Sequence, residues 1–477
     1  MNKLLALFFT CLFVAPLQAD ETTQKSALDA MTKATHYFRT HVSTEGGYLW
    51  NYKTDFTMRE GEVSTSPTTI WVQPPGTPSV GMAYIRAYEA TQDTLFLNGA
   101  INAARALSWG QLASGGWDYR IDFDPKNSKR WHYRRDIEKG DTDNNNRRNR
   151  TTLDDNNTQS ALYLLMRVDQ ALNFKDAEIK KTVTYCLDAL LKSQYPNGAW
   201  PQRFQDFPDP AKFPVKKARY PKTWSRTFPD TRYYTHYTFN DNTIADVIDV
   251  MLKAYEIYGD KRYLNAAKRG GDFMILAQMP EPQPTWAQQY NLDMEPAWAR
   301  KFEPASVTGG ESFGIMQALL DLHIETGEQR FLEPIPKALA WAKKSLLPDG
   351  RLARFYELTT NKPLYFTLDY VLTYDDSNMP THYAFKVSGG RIDRIENLYN
   401  RILNEGRQTI LDERAITTAP SKENVLEIIN ALDEQGRWVE NSALKNPKNR
   451  NERIPAEILS CRTFSRNLTL LARYIKK

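Results

Sequence analysis

Cysteine is scarce in this chain, with three in 477 residues, and one of them, Cys11, falls in an N-terminal leader. Cys186 and Cys461 remain, too few for a disulfide scaffold; they either pair in an oxidising compartment or are buried free thiols. The six histidines are scattered without His-x-x-x-His spacing, and no Cys-x-x-Cys occurs, which removes the usual zinc centres. His132, His236 and His382 are read as local hydrogen-bonding groups. No phosphate-binding Gly-rich loop is present, and no serine nucleophile is expected. A strong excess of one charge is also missing. Lys and Arg total 62 against 57 Asp and Glu, a net +5, far from the dense basic stripe of a nucleic-acid binder. Charge therefore leaves room for an acidic small partner or polymer. Long apolar runs are confined to the first residues, where Lys3 precedes a run from Leu4 to Val14, a break at Pro16 and a small residue at Ala19. This run is shorter than the ~20 residues that span a bilayer, so 1–19 reads as a signal peptide and the mature protein as secreted or periplasmic, with no membrane segment after its removal.

What the chain has is repetition. Thr243 to Tyr258 places Ile244, Val247, Ile248, Met251, Leu252 and Tyr255 on one helical face, Gly259 and Asp260 supply a stop and an N-cap, and a second helix follows. The same phrase of helix end, polar turn and apolar-striped helix recurs at 89–112, 170–194 and 324–347. Aromatic loops follow the second helices: GGWDY (115–119), YPNGAWPQRF (195–204), QPTWAQQY (283–290) and GRLARFY (350–356). Hairpins that cannot bury their own faces stack on neighbours, so the pattern predicts an all-α architecture, an α/α toroid or partial barrel of repeated helical hairpins with long aromatic loops. The loops gather at one end and locate a cleft. The polar stretch 118–152 and the Pro- and aromatic-rich stretch 204–236 are expected to be long loops near that cleft. Beyond Asp369 the sequence predicts short strands and then a helical extension over 390–477, all within one domain spanning 20–477.

Two oxygen-rich runs precede repeat helices. TTLDDNNTQ (151–159) carries Asp154, Asp155, Asn156 and Asn157, and FNDNT (239–243) carries Asp241 in the equivalent place. N-capping explains part of this; four oxygen-bearing side chains in a row also suit a hard cation such as Ca2+, which takes 6–8 oxygens. If the repeats superpose, Asp154 and Asp241 face one cleft. Arg203, Arg300, Lys301, Arg351 and Arg354 lie in the aromatic loops. Surface ion pairing accounts for some of them. Their mixing with Trp200, Trp286, Trp298, Tyr290, Phe302 and Phe355 also fits a groove that stacks sugar faces and forks carboxylates, hence an anionic polysaccharide held through calcium.

The segments TTLDD (151–155), QYPNGAWPQRF (194–204), YTFNDNT (237–243), PAWARKFEPAS (296–306), GGES (309–312) and LARFYELTTNKPLY (352–365) resemble, in order and content, the marker segments of the pectate lyases of polysaccharide lyase family ten. The resemblance covers about residues 70–370. It implies an α/α-toroid-like domain that cleaves polygalacturonate or oligogalacturonides by calcium-assisted β-elimination, with Asp154, Asp155 and Asp241 as metal ligands, Arg300 as base and Arg354 as a substrate arginine. Asp154 is counted with Arg300 as catalytic through the metal. Lys301, Arg203, Trp200, Trp286, Trp298 and Tyr290 join Arg354 as expected substrate contacts, and a monomer is expected. Two departures stand out. Asp155 occupies a position where the family has Asn, and Leu368 one where a second substrate arginine is usual, with Lys362 or Lys301 as substitutes. Ca2+ and Lys301 are expected to lower the proton affinity of Arg300. A glycoside hydrolase using two of Asp154, Asp241 and Glu303, and a non-catalytic oligogalacturonide-binding relative, are the alternatives.

Overall fold

Three inner-to-outer turns of the hairpins are set by an aspartate, Asp93, Asp176 and Asp260. Helix α1 (Glu21–Tyr37) is followed by α2 (Thr77–Thr91) and α3 (Thr94–Trp109), with Asp93 accepting from the Leu95 amide at 2.8 Å. After the short α4 (Arg134–Glu138), α5 (Asn157–Ala171) turns into α6 (Ala177–Ser193) through Asp176, which accepts from Glu178 and Ile179. The turn from α7 (Thr243–Tyr258) to α8 (Lys261–Leu276) has Gly259 at φ 70 as its stop and Asp260 accepting from Arg262, as the sequence predicts. Helices α9 (Glu311–Thr326), α10 (Ile335–Lys344), α11 (Gly390–Glu405), α12 (Arg407–Ala415), α13 (Lys422–Asn430) and α14 (Cys461–Ile475) complete the set. The computed structural model describes residues 21–230, 233, 236–416, 418–449 and 451–476. The signal-peptide reading of 1–19 lies outside them.

The helices form two concentric rows. α14, α2, α5, α7 and α9 pack side by side as the inner row, which α11 and α12 continue beyond α9. α13, α1, α3, α6 and α8 form the outer row. The result is an α/α toroid. The stretch expected as a helical extension differs from that expectation. An antiparallel hairpin, Val439–Lys445 with Arg453–Ser460, pairs onto Asn51–Lys53, and α14 then packs against α2. The final segment thus belongs to the ring.

Four two- or three-residue strand pairs line one rim. Thr69–Trp71 pairs Arg120–Asp122, Thr151–Thr152 pairs Arg203–Phe204, Tyr237–Thr238 pairs Gln289–Tyr290, and Val307–Thr308 pairs Phe355–Tyr356. Each joins the entry of an inner helix to the loop that leaves the outer helix of the same hairpin. They are too short to show a period of two, so the sequence did not reveal them.

The loop tryptophans have a structural task. Trp117, Trp200, Trp286 and Trp438 donate their indole N–H to the carbonyls of Leu107, Leu190, Met274 and Ile428, at 2.8, 2.9, 2.8 and 2.9 Å. These carbonyls lie in the last turns of α3, α6, α8 and α13, where helices leave acceptors without intrahelical partners. A glutamine just beyond each of the first three of these helices acts with them. Gln194 Nε2 donates to Gly198 O and Ala266 O, both at 2.9 Å, tying its own loop to α8. Gln111 does the same to Gly115 and Thr182, and Gln278 to Pro284 and Pro334. Gly198 sits at φ 95, and a Cβ there would lie 1.9 Å from Arg269 O, so the loop requires glycine. Cys186 and Cys461 are both buried free thiols.

Truncation of Gln194 to alanine removes two buried hydrogen bonds and leaves two carbonyls without that donor. The expected loss is about 2 kcal/mol of stability, measured by urea unfolding; a change within error would show that the glutamine bridges do not hold neighbouring outer helices together.

Candidate active site

The turns entering α5 and α7 have the same shape. In each, a short strand is followed by two consecutive left-handed residues, Asp155 (φ 52) with Asn156 (φ 54) and Asp241 (φ 48) with Asn242 (φ 58). Asn and Asp enter this region at little cost because their side chains bond locally. This register makes Asp155 the equivalent of Asp241, and Asn240 the equivalent of Asp154. The sequence expectation had matched Asp154 to Asp241, one residue out of step.

The carboxylates of Asp154, Asp155 and Asp241 nonetheless meet, with one oxygen from each within 4.8 Å of the others. Asp154 is buried and its Oδ2 accepts from Tyr119 OH at 3.0 Å and from Arg203 Nη2 at 3.3 Å. Its Oδ1 is buried with no hydrogen-bond partner among the described residues. Burial, and then the charges of Asp154, Asp241 and Glu62, push the Asp155 carboxyl up to about 7. Burial, then Asp154 and Glu311, push Asp241 up to about 6, against the opposing pull of Arg300 and Arg354. Three hard oxygen donors, one of them orphaned and two of them proton-hungry from burial and then from mutual repulsion, fit a hard divalent cation.

Two arginines stand near Asp241. Arg354 donates to Glu311 and lies with its Cζ 4.4 Å from the Tyr383 ring centre. Arg300 forks Glu303, with Nε to Oε2 at 2.7 Å and Nη2 to Oε1 at 2.5 Å. Glu303 is 1% exposed. Its Oε1 also accepts from Gln288 Nε2 and Tyr383 OH, each at 2.9 Å. Gln288 Nε2 further donates to Asn240 Oδ1 at 2.6 Å, and Asn240 Nδ2 to Asp241 Oδ2 at 2.6 Å. A continuous hydrogen-bonded path therefore runs from Arg300 to the acid cluster. Burial draws the Arg300 guanidinium down, but the Glu303 fork outweighs it and leaves its proton affinity raised. The expected lowering by Lys301 is corrected: Lys301 is exposed and its Nζ sits 3.7 Å from the Tyr370 ring centre.

The aromatic expectations need correction too. Trp200, Trp286 and Tyr290 are fully buried, and Trp298 is 5% exposed with its indole N–H on Ser225 O. Their faces are packed in the protein and offer no platform to a sugar. Among the described residues, the rings that border the charged groups include Tyr119, Phe302 and Tyr383; the Arg300 Cζ lies 4.9 Å from the Phe302 ring centre and 5.5 Å from that of Tyr383. Tyr119 had a signal in GGWDY, two residues after the structural Trp117. Tyr383 and Gln288 had none. Leu368 is 56% exposed, and Lys362 Nζ lies over the Tyr374 ring at 5.3 Å. His132 and His236 bond backbone carbonyls at 3.0 Å. GESFG (310–314) has the spacing of a serine nucleophile elbow, but Ser312 is 2% exposed and donates to Thr308 O.

Fold and site together define an α/α toroid whose rim carries a cation-ready acidic centre between arginines. The model of the family described as pectic acid lyase matches residues 111–352, just over half of the chain, and the chain belongs to that family, the family ten polysaccharide lyases. No curated protein matches. Among solved structures, a family 10 polysaccharide lyase from Cellvibrio cellulosa is 20% identical, with 68% of this chain and 97% of that one covered and a TM-score of 0.45. Cellobiose 2-epimerase from Bacillus thermoamylovorans B4167 is 12% identical, covering 95% and 99%, with a TM-score of 0.46. These likenesses are too distant to carry an argument about chemistry.

Both raised carboxyls bind protons more tightly in the folded chain than in the unfolded one. Their cost to stability therefore grows as the pH rises from about 4 to about 7 and is full above that. In chelator, Asp155→Asn is expected to raise the thermal midpoint at about pH 8 but not at about pH 4, and added calcium to raise it for the wild type. An equal shift at both pH values would mean that the carboxylates do not repel as placed.

Proposed function

We propose that this protein is a calcium-dependent pectate lyase that cleaves polygalacturonate or oligogalacturonides by β-elimination, with Arg300 as base. The observation that carries the reading is the convergence, from three separate hairpins, of Asp154, Asp155 and Asp241 with Arg300 and Arg354. A uronate ring bears a proton α to its carboxylate, and that proton is poorly acidic while the carboxylate keeps its charge. Calcium held by Asp154, Asp155 and Asp241 supplies, when bound, the Lewis-acid charge that offsets the substrate carboxylate. Arg354, fixed by Glu311 and the Tyr383 ring, forks a substrate carboxylate. Arg300 faces the acidic proton. Two of its nitrogens are engaged by Glu303, which leaves Nη1 as the atom to receive that proton once the guanidinium is neutral. Elimination of the glycosidic oxygen then leaves a 4,5-unsaturated end, and no water is consumed.

Glu303 favours the charged guanidinium, so the neutral base becomes commoner as hydroxide rises, and the rate is expected to increase from neutral into alkaline pH. A flat or falling profile at saturating calcium would remove Arg300 as base. A glycoside hydrolase reading loses Glu303 as its acid, since Arg300 forks that carboxylate and holds it ionised. The exposed Leu368 favours a second reading, a binding protein without turnover. Purified protein mixed with polygalacturonate, with and without chelator, separates these. Calcium-dependent ultraviolet absorbance of the unsaturated product supports the lyase, reducing ends without absorbance support hydrolysis, and neither leaves binding. Arg300→Ala is expected to lower kcat by about a thousandfold or more with little change in KM; an active variant would place the base elsewhere. The leader at 1–19 supports export to the periplasm or beyond.

A further inference from the structure

Tyr119 and Arg203, both bonded to Asp154, also line a cavity of about 540 Å³ walled by the 118–152 insertion. Asp118, Arg148, Arg150 and Thr152 line it as well. The volume is large enough for sugar-sized ligands, and its cationic residues outnumber its acidic ones.

The insertion is a braced loop. Arg147 is bound to Asp136 at 3.3 Å and to Asp141 at 3.0 Å. Arg148 is fixed in the backbone by its amide on Arg130 O at 2.8 Å and by its carbonyl, which accepts from the His132 amide at 2.9 Å. Its guanidinium lies 5.6 Å from the ring centre of Trp131, which is 2% exposed and donates its indole N–H to Asp118 at 2.7 Å. Unlike Arg147, the exposed Arg148 has no carboxylate within ion-pair distance among the described residues. A cation held on a rigid aromatic shelf and left without an acid is prepared for an external anion. Arg203 adds a second positive charge to the cavity wall, held in place by its Nη2 bonds to Asp154 and Tyr119.

We propose that this cavity is a remote uronate subsite, in which Arg148 receives the carboxylate of a sugar further along the same chain as the residue at the acid cluster. The inference rests on the lyase reading for its substrate class. A polymer with one carboxylate per ring is best held by cations that recur along its path. Arg354 and Arg300 serve one part of that path; Arg203 and Arg148 extend it past Asp154. Arg148 is a specificity residue here, since it touches substrate away from the reacting atoms.

The test uses the full chain, a ladder of oligogalacturonides of increasing length, and Arg148→Ala beside Arg148→Lys. The ratio of wild-type to Arg148→Ala kcat/KM is expected to grow with length to about three- to tenfold on the longest substrates, with the lysine variant recovering part of it. A ratio that stays flat with length, or stays at one, overturns the subsite. Calorimetric binding of the same ladder in chelator gives a readout without turnover. Binding that depends on Arg148 only for long chains, in a protein that makes no unsaturated product, sinks the lyase reading and keeps the subsite. Unsaturated product with no length-dependent effect of Arg148 in either assay sinks the subsite alone.

Discussion

Three carboxylates that repel one another are kept within 4.8 Å at the rim of the toroid, and the surrounding structure is arranged around that repulsion. Each of the two turns that supply Asp155 and Asp241 uses a pair of left-handed residues, a conformation that costs most side chains about 1–2 kcal/mol and suits Asp and Asn better. The turns are pinned from both ends, by the helices they start and by strand pairs that join them to loops of the same hairpin. Tyr119, Arg203 and Asn240 each donate to one of the aspartates. Those bonds do not neutralise the cluster, as the raised Asp155 and Asp241 carboxyls show. A fold that maintains such a cluster without neutralising it is ready for a cation, and the stability given up there belongs to the function of the site.

The second constraint is a buried charge. Glu303, 1% exposed, stays ionised because the Arg300 fork, together with the Gln288 and Tyr383 bonds, outweighs the cost of burying it. The same path reaches Asn240 and Asp241, so the orientation of Arg300 and the position of the acid cluster are set by one network. Such a network fixes geometry well and shifts proton affinity at the same time. Here it moves Arg300 in the direction opposite to the one expected from Lys301 and a nearby cation, because the nearest charge to the guanidinium is Glu303 at position i+3, and Lys301 leans onto Tyr370.

How much of this could be read from the sequence depends on the range of the interaction. The helical hairpins were legible because a stripe at 3.6-residue spacing and an aspartate cap are local, and they recur. The acid runs were legible for the same reason, although two-residue strands and left-handed turns leave no periodicity, so the register slipped by one. The tryptophans were seen and misread. A residue that returns after hairpin upon hairpin, and again at Trp438 beyond the aromatic loops used for the sugar argument, answers a need of the hairpin; the need is the open carbonyl in the last turns of α3, α6, α8 and α13. Repetition that revealed the fold was therefore evidence against sugar stacking by Trp200 and Trp286. Tyr383 was illegible because it reaches Glu303 and both arginines only through tertiary folding.

That placement of Tyr383 bears on where the working unit ends. The family match stops at residue 352, yet Arg354 and Tyr383 both lie beyond it, and the Tyr383 ring lies within 4.4 Å of the Arg354 Cζ and 5.5 Å of the Arg300 Cζ. Further on, α14 packs on α2, the first inner helix, and the hairpin before it pairs with Asn51–Lys53. Segments from the two ends of the described chain thus complete the inner row on which α5 and α7 stand. Loosening that closure would act on the acid cluster through α2 and α5, since the turn holding Asp155 is anchored by the helix it begins, by a two-residue strand pair and by the Tyr119 and Arg203 bonds to Asp154. The site is local in its atoms and global in its support, which is the expected condition for carboxylates that would separate if the ring let them.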